Sequence, residues 1–105
     1  MTSKSYRAHI APFPIEHAIE DCVIARRNFY LGLWAGRALG LSGDAHRQYA
    51  CSVVAADYEE TGRDDVIRKL MRDFTARGVA IARAEIEQEM RATQIMATRH
   101  FAMSD

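Results

Sequence analysis

Four histidines, two cysteines, three closely spaced glutamates and one glycine-rich turn are the residues of this chain most able to do chemistry, and their spacing argues against it. His9, His17, His46 and His100 are scattered. None stands three residues after a glutamate, as in the Glu-x-x-His pairs of di-iron bundles, and no two lie four apart, as a helical zinc site needs. Cys22 and Cys51 lack Cys-x-x-Cys spacing and fall within helical patterns, which predicts buried free thiols in a reducing cytoplasm. Glu85, Glu87 and Glu89 cluster in sequence, but residues two apart on a helix point about 200° apart and cannot converge on one substrate. They read as surface charge. Gly40-Leu41-Ser42-Gly43 precedes a helix without a strand before it or the lysine of a phosphate loop, so it reads as a turn. With no nucleophile beside a base, no metal cage and no cofactor loop, the chain reads as a non-enzyme without catalytic residues, metal or resident cofactor.

The elements that would position a site are helices. At 105 residues and 49% hydrophobic content the chain fits one domain with one core. Fourteen basic and fourteen acidic residues cancel, which removes the positive field that drives non-specific nucleic-acid or anionic-membrane binding. Twelve of the fourteen cations are arginine, suited to bidentate carboxylate pairing in salt-bridged surfaces or interfaces. Arg37 interrupts the longest apolar run, so no segment reaches the roughly 18 residues of a membrane span, and the N-terminus lacks a signal-peptide core.

Gly and Pro divide the chain into an arm and four helical segments, with no period-2 run to argue for a strand. The expected fold is all-α: a four-helix bundle with a long first helix and an extended or flexible N-terminal arm. The arm comprises residues 1–13, and Pro12 and Pro14 push its end towards extended geometry; residues 14–105 form the helical domain. Helix 1 runs from Pro14 to about Leu39, with Ile15, Ile19, Cys22, Phe29, Leu33 and Trp34 on its apolar stripe and Gly40 at its end. Gly32, Gly36 and Gly40, four apart, predict close helix packing. Ser42 caps helix 2, whose stripe is Ala45, Tyr49, Val53 and Ala56. Gly62 breaks it, and Thr61-Gly62-Arg63-Asp64 fits a capping box opening helix 3. Helix 3 buries Val66, Ile67, Leu70 and Phe74 and stops before Gly78. Val79 and Ile81 tuck the connector against the core. Helix 4, about Arg83 to His100, points Ile86, Met90, Thr93, Ala97 and Phe101 inward from a start without a good cap. Asp64 with Arg68, Asp65 with Lys69, and Glu87 with Arg91 are the expected i,i+4 ion pairs.

Two features leave alternatives open. Arg26-Arg27 is either a partner contact, to a phosphate or carboxylate, or a solvated turn interrupting the stripe. Met90, Met96 and Met103 read as core filling or as an adaptable contact surface. Trp34 belongs with the core.

Ala25-Arg26-Arg27-Asn28 followed by Leu31-Gly32-Leu33-Trp34-Ala35-Gly36, then Ala56-Asp57-Tyr58-Glu59-Glu60-Thr61-Gly62 and Asp65-Val66-Ile67-Arg68-Lys69-Leu70, resemble the zeta subunit of bacterial F-type ATP synthases. The likeness runs from about Ala25 to Phe101. It implies a four-helix bundle that binds the catalytic head of the synthase and blocks ATP hydrolysis through a mobile N-terminal segment. It also implies a cytoplasmic location, peripheral to the inner membrane, and makes weak adenine-nucleotide binding conceivable without placing it. In the family that segment is charged and proline-free, with a pattern like Phe-Asp-Asp-Arg-Glu and then Phe-Glu-x-Lys-Phe-Ala. Here Tyr6-Arg7-Ala8-His9-Ile10 leads into Pro12 and Pro14, leaving at most about eleven helical residues, fewer than an isolated helix needs. No inhibitory residue carries over. The candidate partner-binding residues are therefore Tyr6, Arg7, Ile10, Phe13, Arg26 and Arg27. The alternative function is a paralogous interaction module that keeps the bundle and has lost inhibition. The oligomeric state is left open.

Overall fold

A computed structural model describes residues 15–59 and 63–103, all in helices and short connectors. Among the described residues five helices appear where four were expected: α1 (Ile15–Asp21), α2 (Val23–Ala38), α3 (Gly43–Glu59), α4 (Arg63–Ala76) and α5 (Arg83–Ala102). The correction falls at Cys22, whose backbone is extended (φ −128°, ψ 126°) and splits the expected first helix in two. Its helical bonds persist on both sides, Cys22 N donating to Ala18 O at 2.9 Å and Arg26 N to Cys22 O at 3.0 Å, so the chain bends without unravelling. Neither Gly nor Pro marks this break. Its only trace in the sequence is Cys22-Val23-Ile24, three weak helix formers, two of them β-branched.

α2 is the central element, packing along α3 on one side and α5 on the other. The main core joins Leu31 and Ala35 of α2 and its C-cap Leu39 to Val53 of α3, Val66, Ile67, Leu70 and Phe74 of α4, and Ile86 and Met90 of α5. The α4 and α5 stripes are those expected, except that Phe101 is only half-buried. Trp34 packs against this core, its ring 5.9 Å from Phe74 in an edge-on contact at 81°. A second cluster, Ala18, Ile19, Ala25 and Val54, seats α1 against α2 and α3, with the half-buried Cys22 and Cys51 at its margin. Both thiols are free. On α3 the expected Val53 is fully buried and Tyr49 packs against the core, but Ala45 is exposed and the buried face also takes in Ala50 and Val54.

The glycines explain how α2 approaches α3. A Cβ on Gly32 would stand 2.6 Å from the Cα of Ala50, and one on Gly36 would stand 2.5 Å from Cδ2 of His46. His46 Nε2 lies 2.6 Å from Leu33 O; since a carbonyl only accepts, Nε2 carries the proton in this bond. Gly40 ends α2 at φ 84°, with Gly40 N bonded to Arg37 O and Leu41 N to Gly36 O, the paired bonds of a Schellman cap. Gly78 repeats the arrangement on α4, where Gly78 N meets Thr75 O and Val79 N meets Phe74 O. Arg77 Nη1 donates to Leu39 O at 2.9 Å, tying the end of α4 to the end of α2.

α5 starts, as expected, without a side-chain N-cap hydrogen bond, because Ala82 occupies the cap position. Glu85 Oε1 accepts from Ala82 N at 2.9 Å, which is half of a capping box; the reciprocal bond needs a side-chain oxygen that Ala82 lacks. Glu87 accepts from Arg83 Nε at 3.0 Å. The ion pairs also differ from those expected: Asp65 pairs with Arg68, Lys69 with Asp73, and Arg83 with both Glu87 and Asp64. Arg83 thereby links α4 to α5. The capping box expected at Thr61 to Asp64 includes residues outside those described. Among the described residues no helix is long and apolar enough to cross a membrane.

Candidate functional site

The bend at Cys22 leaves carbonyls at the end of α1 without their helical donors, and the sequence supplies one four residues later. Arg26 Nε donates to Ile19 O at 2.9 Å. Its Nη1 donates to Tyr30 Oη at 3.3 Å, while the guanidinium carbon lies 5.8 Å from the Tyr30 ring centre and 5.6 Å from that of Phe101 in α5. One side chain thus joins α1, α2 and the end of α5, using the guanidinium for hydrogen bonding in its plane and cation–π contact across its faces. Replacing Arg26 with alanine is expected to cost about 1–3 kcal/mol, as loss of a charged hydrogen-bond partner does. Hydrogen exchange should quicken at Ile19 to Val23 before it does elsewhere; uniform acceleration across the chain would contradict a local joint.

Arg27 points into the protein. It is only 7% exposed, with Nε and Nη2 donating to Asn28 Oδ1 at 3.0 and 2.9 Å and Nη1 reaching Gln94 Oε1 of α5 at 3.3 Å. Asn28 is fully buried, and its Nδ2 has no hydrogen-bond partner among the described residues. Neither reading of the arginine pair anticipated this inward placement, because local sequence does not show that a helix break and a buried amide await them. Of the other candidate residues, Tyr6, Arg7, Ile10 and Phe13 lie outside the described residues.

A second place with chemical potential is the groove between α3 and α4, an opening of about 510 Å³ lined by Ser52, Ala55, Ala56, Asp65, Arg68, Lys69 and Arg72. Three cations over small side chains can attract an anion, yet Asp65 already meets Arg68 and Asp73 meets Lys69. Its described lining holds no aromatic ring on which a base could stack.

Beside that groove, Tyr49 Oη donates to Asp73 Oδ2 at 2.7 Å, and Lys69 Nζ donates to the same oxygen at 3.0 Å. Lys69 Nζ also sits 5.1 Å from the Tyr49 ring centre. Burial first, then the bond to Asp73, pushes the Tyr49 phenol far above its ordinary range. A raised folded pKa means that the associated stability is present below the unfolded phenol value, about 10, and is lost as pH rises above it towards the folded value. Urea unfolding midpoints should therefore fall above about pH 10, with Tyr49→Phe showing a shallower fall. An unchanged slope in Tyr49→Phe would contradict the assignment.

Among the described residues no group of three or more His, Cys, Asp or Glu side chains is placed to hold a metal. Compared with protein-family models, the chain matches ATPase inhibitor subunit zeta over residues 5–100. It belongs to that family. The zeta match begins at Ser5, so it takes in residues 5–13 of the arm that motif resemblance alone left outside the family and corrects the expected limit near Ala25. No curated protein matches the chain.

Proposed function

We propose that this zeta-family chain is a non-enzymatic subunit that binds the catalytic head of a bacterial F-type ATP synthase and restrains its hydrolysis of ATP. The observation that carries the reading is the family match over residues 5–100. The helical body supports it as a scaffold: α1 and α2 together take the place of one long helix, so four helical segments surround the core. In this reading Tyr6, Arg7, Ile10 and Phe13 belong to the effector arm, and Arg26 fixes the α1–α2 joint through which the arm meets the scaffold. The chain works at the cytoplasmic face of the inner membrane, where the catalytic head lies, and needs no bound nucleotide.

Pro12 and Pro14, in place of the charged proline-free pattern, favour a second reading in which the scaffold binds without inhibiting. Co-sedimentation with the purified head tests the first. Binding at about micromolar concentration is expected. With Tyr6, Ile10 and Phe13 changed to alanine, binding through the helical body should persist while inhibition is lost. Absence of co-sedimentation by the unmodified chain would refute the proposal; binding with undiminished hydrolysis would establish the second reading.

A further inference from the structure

The balanced charge of the chain conceals an uneven distribution between helices. No Asp or Glu occurs between Cys22 and Gly43 or between Met90 and Ser104. These stretches contain α2 and the second half of α5, which meet where Arg27 bonds Gln94 and Arg26 lies over Phe101. Their shared end carries Arg26, Arg27, Arg91 and Arg99. The nearest carboxylates in sequence are Asp21 and Glu20 in α1, Glu89 and Glu87 earlier in α5, where Glu87 is engaged by Arg83, and Asp105, which lies outside the described residues.

Among the described residues the large exposed apolar side chains lie on these same helices and on the residue that caps α5. They are Ile24 (38% exposed), Ile95 (53%), Met96 (51%) and Met103 (81%). Ile95, Arg99 and Met103 follow one another at four-residue spacing, with Met96 beside them and Arg91 one turn before Ile95, so apolar and cationic groups share a strip. At its edge an opening of about 310 Å³ between α2 and α5 is lined by Arg27, Met90, Arg91, Gln94 and Ile95. A single exposed leucine or methionine is ordinary, whereas a clustered apolar patch with a polar rim is a feature of interaction sites. Methionines also let such a surface adapt to its partner.

We infer that the α2–α5 face docks an acidic amphipathic helix of the synthase catalytic head. The partner's apolar side chains pack on Ile95 and Met103 and enter the opening beside Met90, while its carboxylates meet Arg91 and Arg99. The partner's identity rests on the proposed function; its chemistry rests on the charge and apolar pattern of this face. A second copy of the chain is a poorer occupant, because a two-fold contact would set the cationic strip against itself.

Binding of the full chain to the purified catalytic head, measured by interferometry at low and high salt, tests this. The double change Ile95→Asp with Met103→Asp should weaken binding by about 30-fold or more, as loss of central apolar anchors does. Arg91→Glu with Arg99→Glu should weaken it about 10-fold at low salt and less at high salt, since screening reduces exposed charge interactions. Arg72→Glu, in the α3–α4 groove, should stay within about threefold of the unmodified chain. Thermal unfolding verifies that each variant is folded. If the unmodified chain binds and both α5 variants remain within about threefold, this inference falls and the proposed function stands. If the unmodified chain does not bind, the function and the assigned partner both fall. Binding to phosphatidylglycerol vesicles that the α5 variants lose would assign the face to a membrane, and a light-scattering mass that falls in those variants would assign it to self-association; either result overturns the inference.

Discussion

Replacing Phe74 with alanine is expected to remove about 3–5 kcal/mol of folding free energy, the range for deleting a buried aromatic side chain. Phe74 is buried where α2, α4 and α5 contribute to one core, and its ring meets the edge of Trp34. Truncation removes apolar transfer energy and that ring contact together. Two helix ends also limit collapse around the gap: Arg77 ties α4 to α2, and Phe74 O accepts Val79 N in the α4 cap. Since domains have only about 5–15 kcal/mol of net stability, this variant should lie near the folding threshold. Urea denaturation followed by far-ultraviolet circular dichroism measures the loss. A decrease below about 1 kcal/mol would show that Phe74 is not a principal anchor of the core.

Gly32→Val should produce the next largest loss, about 3 kcal/mol, near the upper part of the usual overpacking range. A Cβ at this position meets Ala50 Cα at 2.6 Å and also approaches Ala50 O and Val53 Cγ2 at 3.1 Å. Two of these atoms are backbone and cannot turn away by changing rotamer. The α2–α3 interface must therefore open, although replacing a helical glycine returns roughly 0.5 kcal/mol of propensity. Gly40→Ala isolates a different cause: it meets no atom within 4 Å but must adopt φ 84°. Left-handed backbone strain should cost about 1–2 kcal/mol there. Calorimetry should rank Gly32→Val as the more damaging change; the reverse order would contradict close helix approach as the reason for the glycine spacing.

The sequence made α4 and α5 legible because their apolar spacing continues at the helical period through Val66, Ile67, Leu70 and Phe74, and through Ile86, Met90, Thr93 and Ala97. Gly40 and Gly78 were readable as stops because their backbones require positive φ. The bend at Cys22 was hidden because tertiary contacts with Arg26 and the α1 cluster sustain an extended residue that no local breaker announces. The same bend determines the arginine pair. Arg26 supplies a missing donor, and Arg27 meets Asn28 and Gln94, a residue far away in sequence. Ion pairs were less legible than helix faces because long side chains choose among several partners: Asp64 reaches Arg83 in another helix, and Arg68 meets Asp65. The cationic apolar strip on α5 was visible only as Met96 and Met103 until α2 was placed beside it, since Met90 belongs to the core. Its significance depends on which residues remain exposed after packing, a property that composition alone does not supply.

Titrating the purified catalytic head with the full chain while recording ATP hydrolysis tests the central claim most directly. Hydrolysis should fall saturably and reach its plateau when each head carries one chain, with co-sedimentation following the same curve. Undiminished hydrolysis when every head is occupied would contradict it.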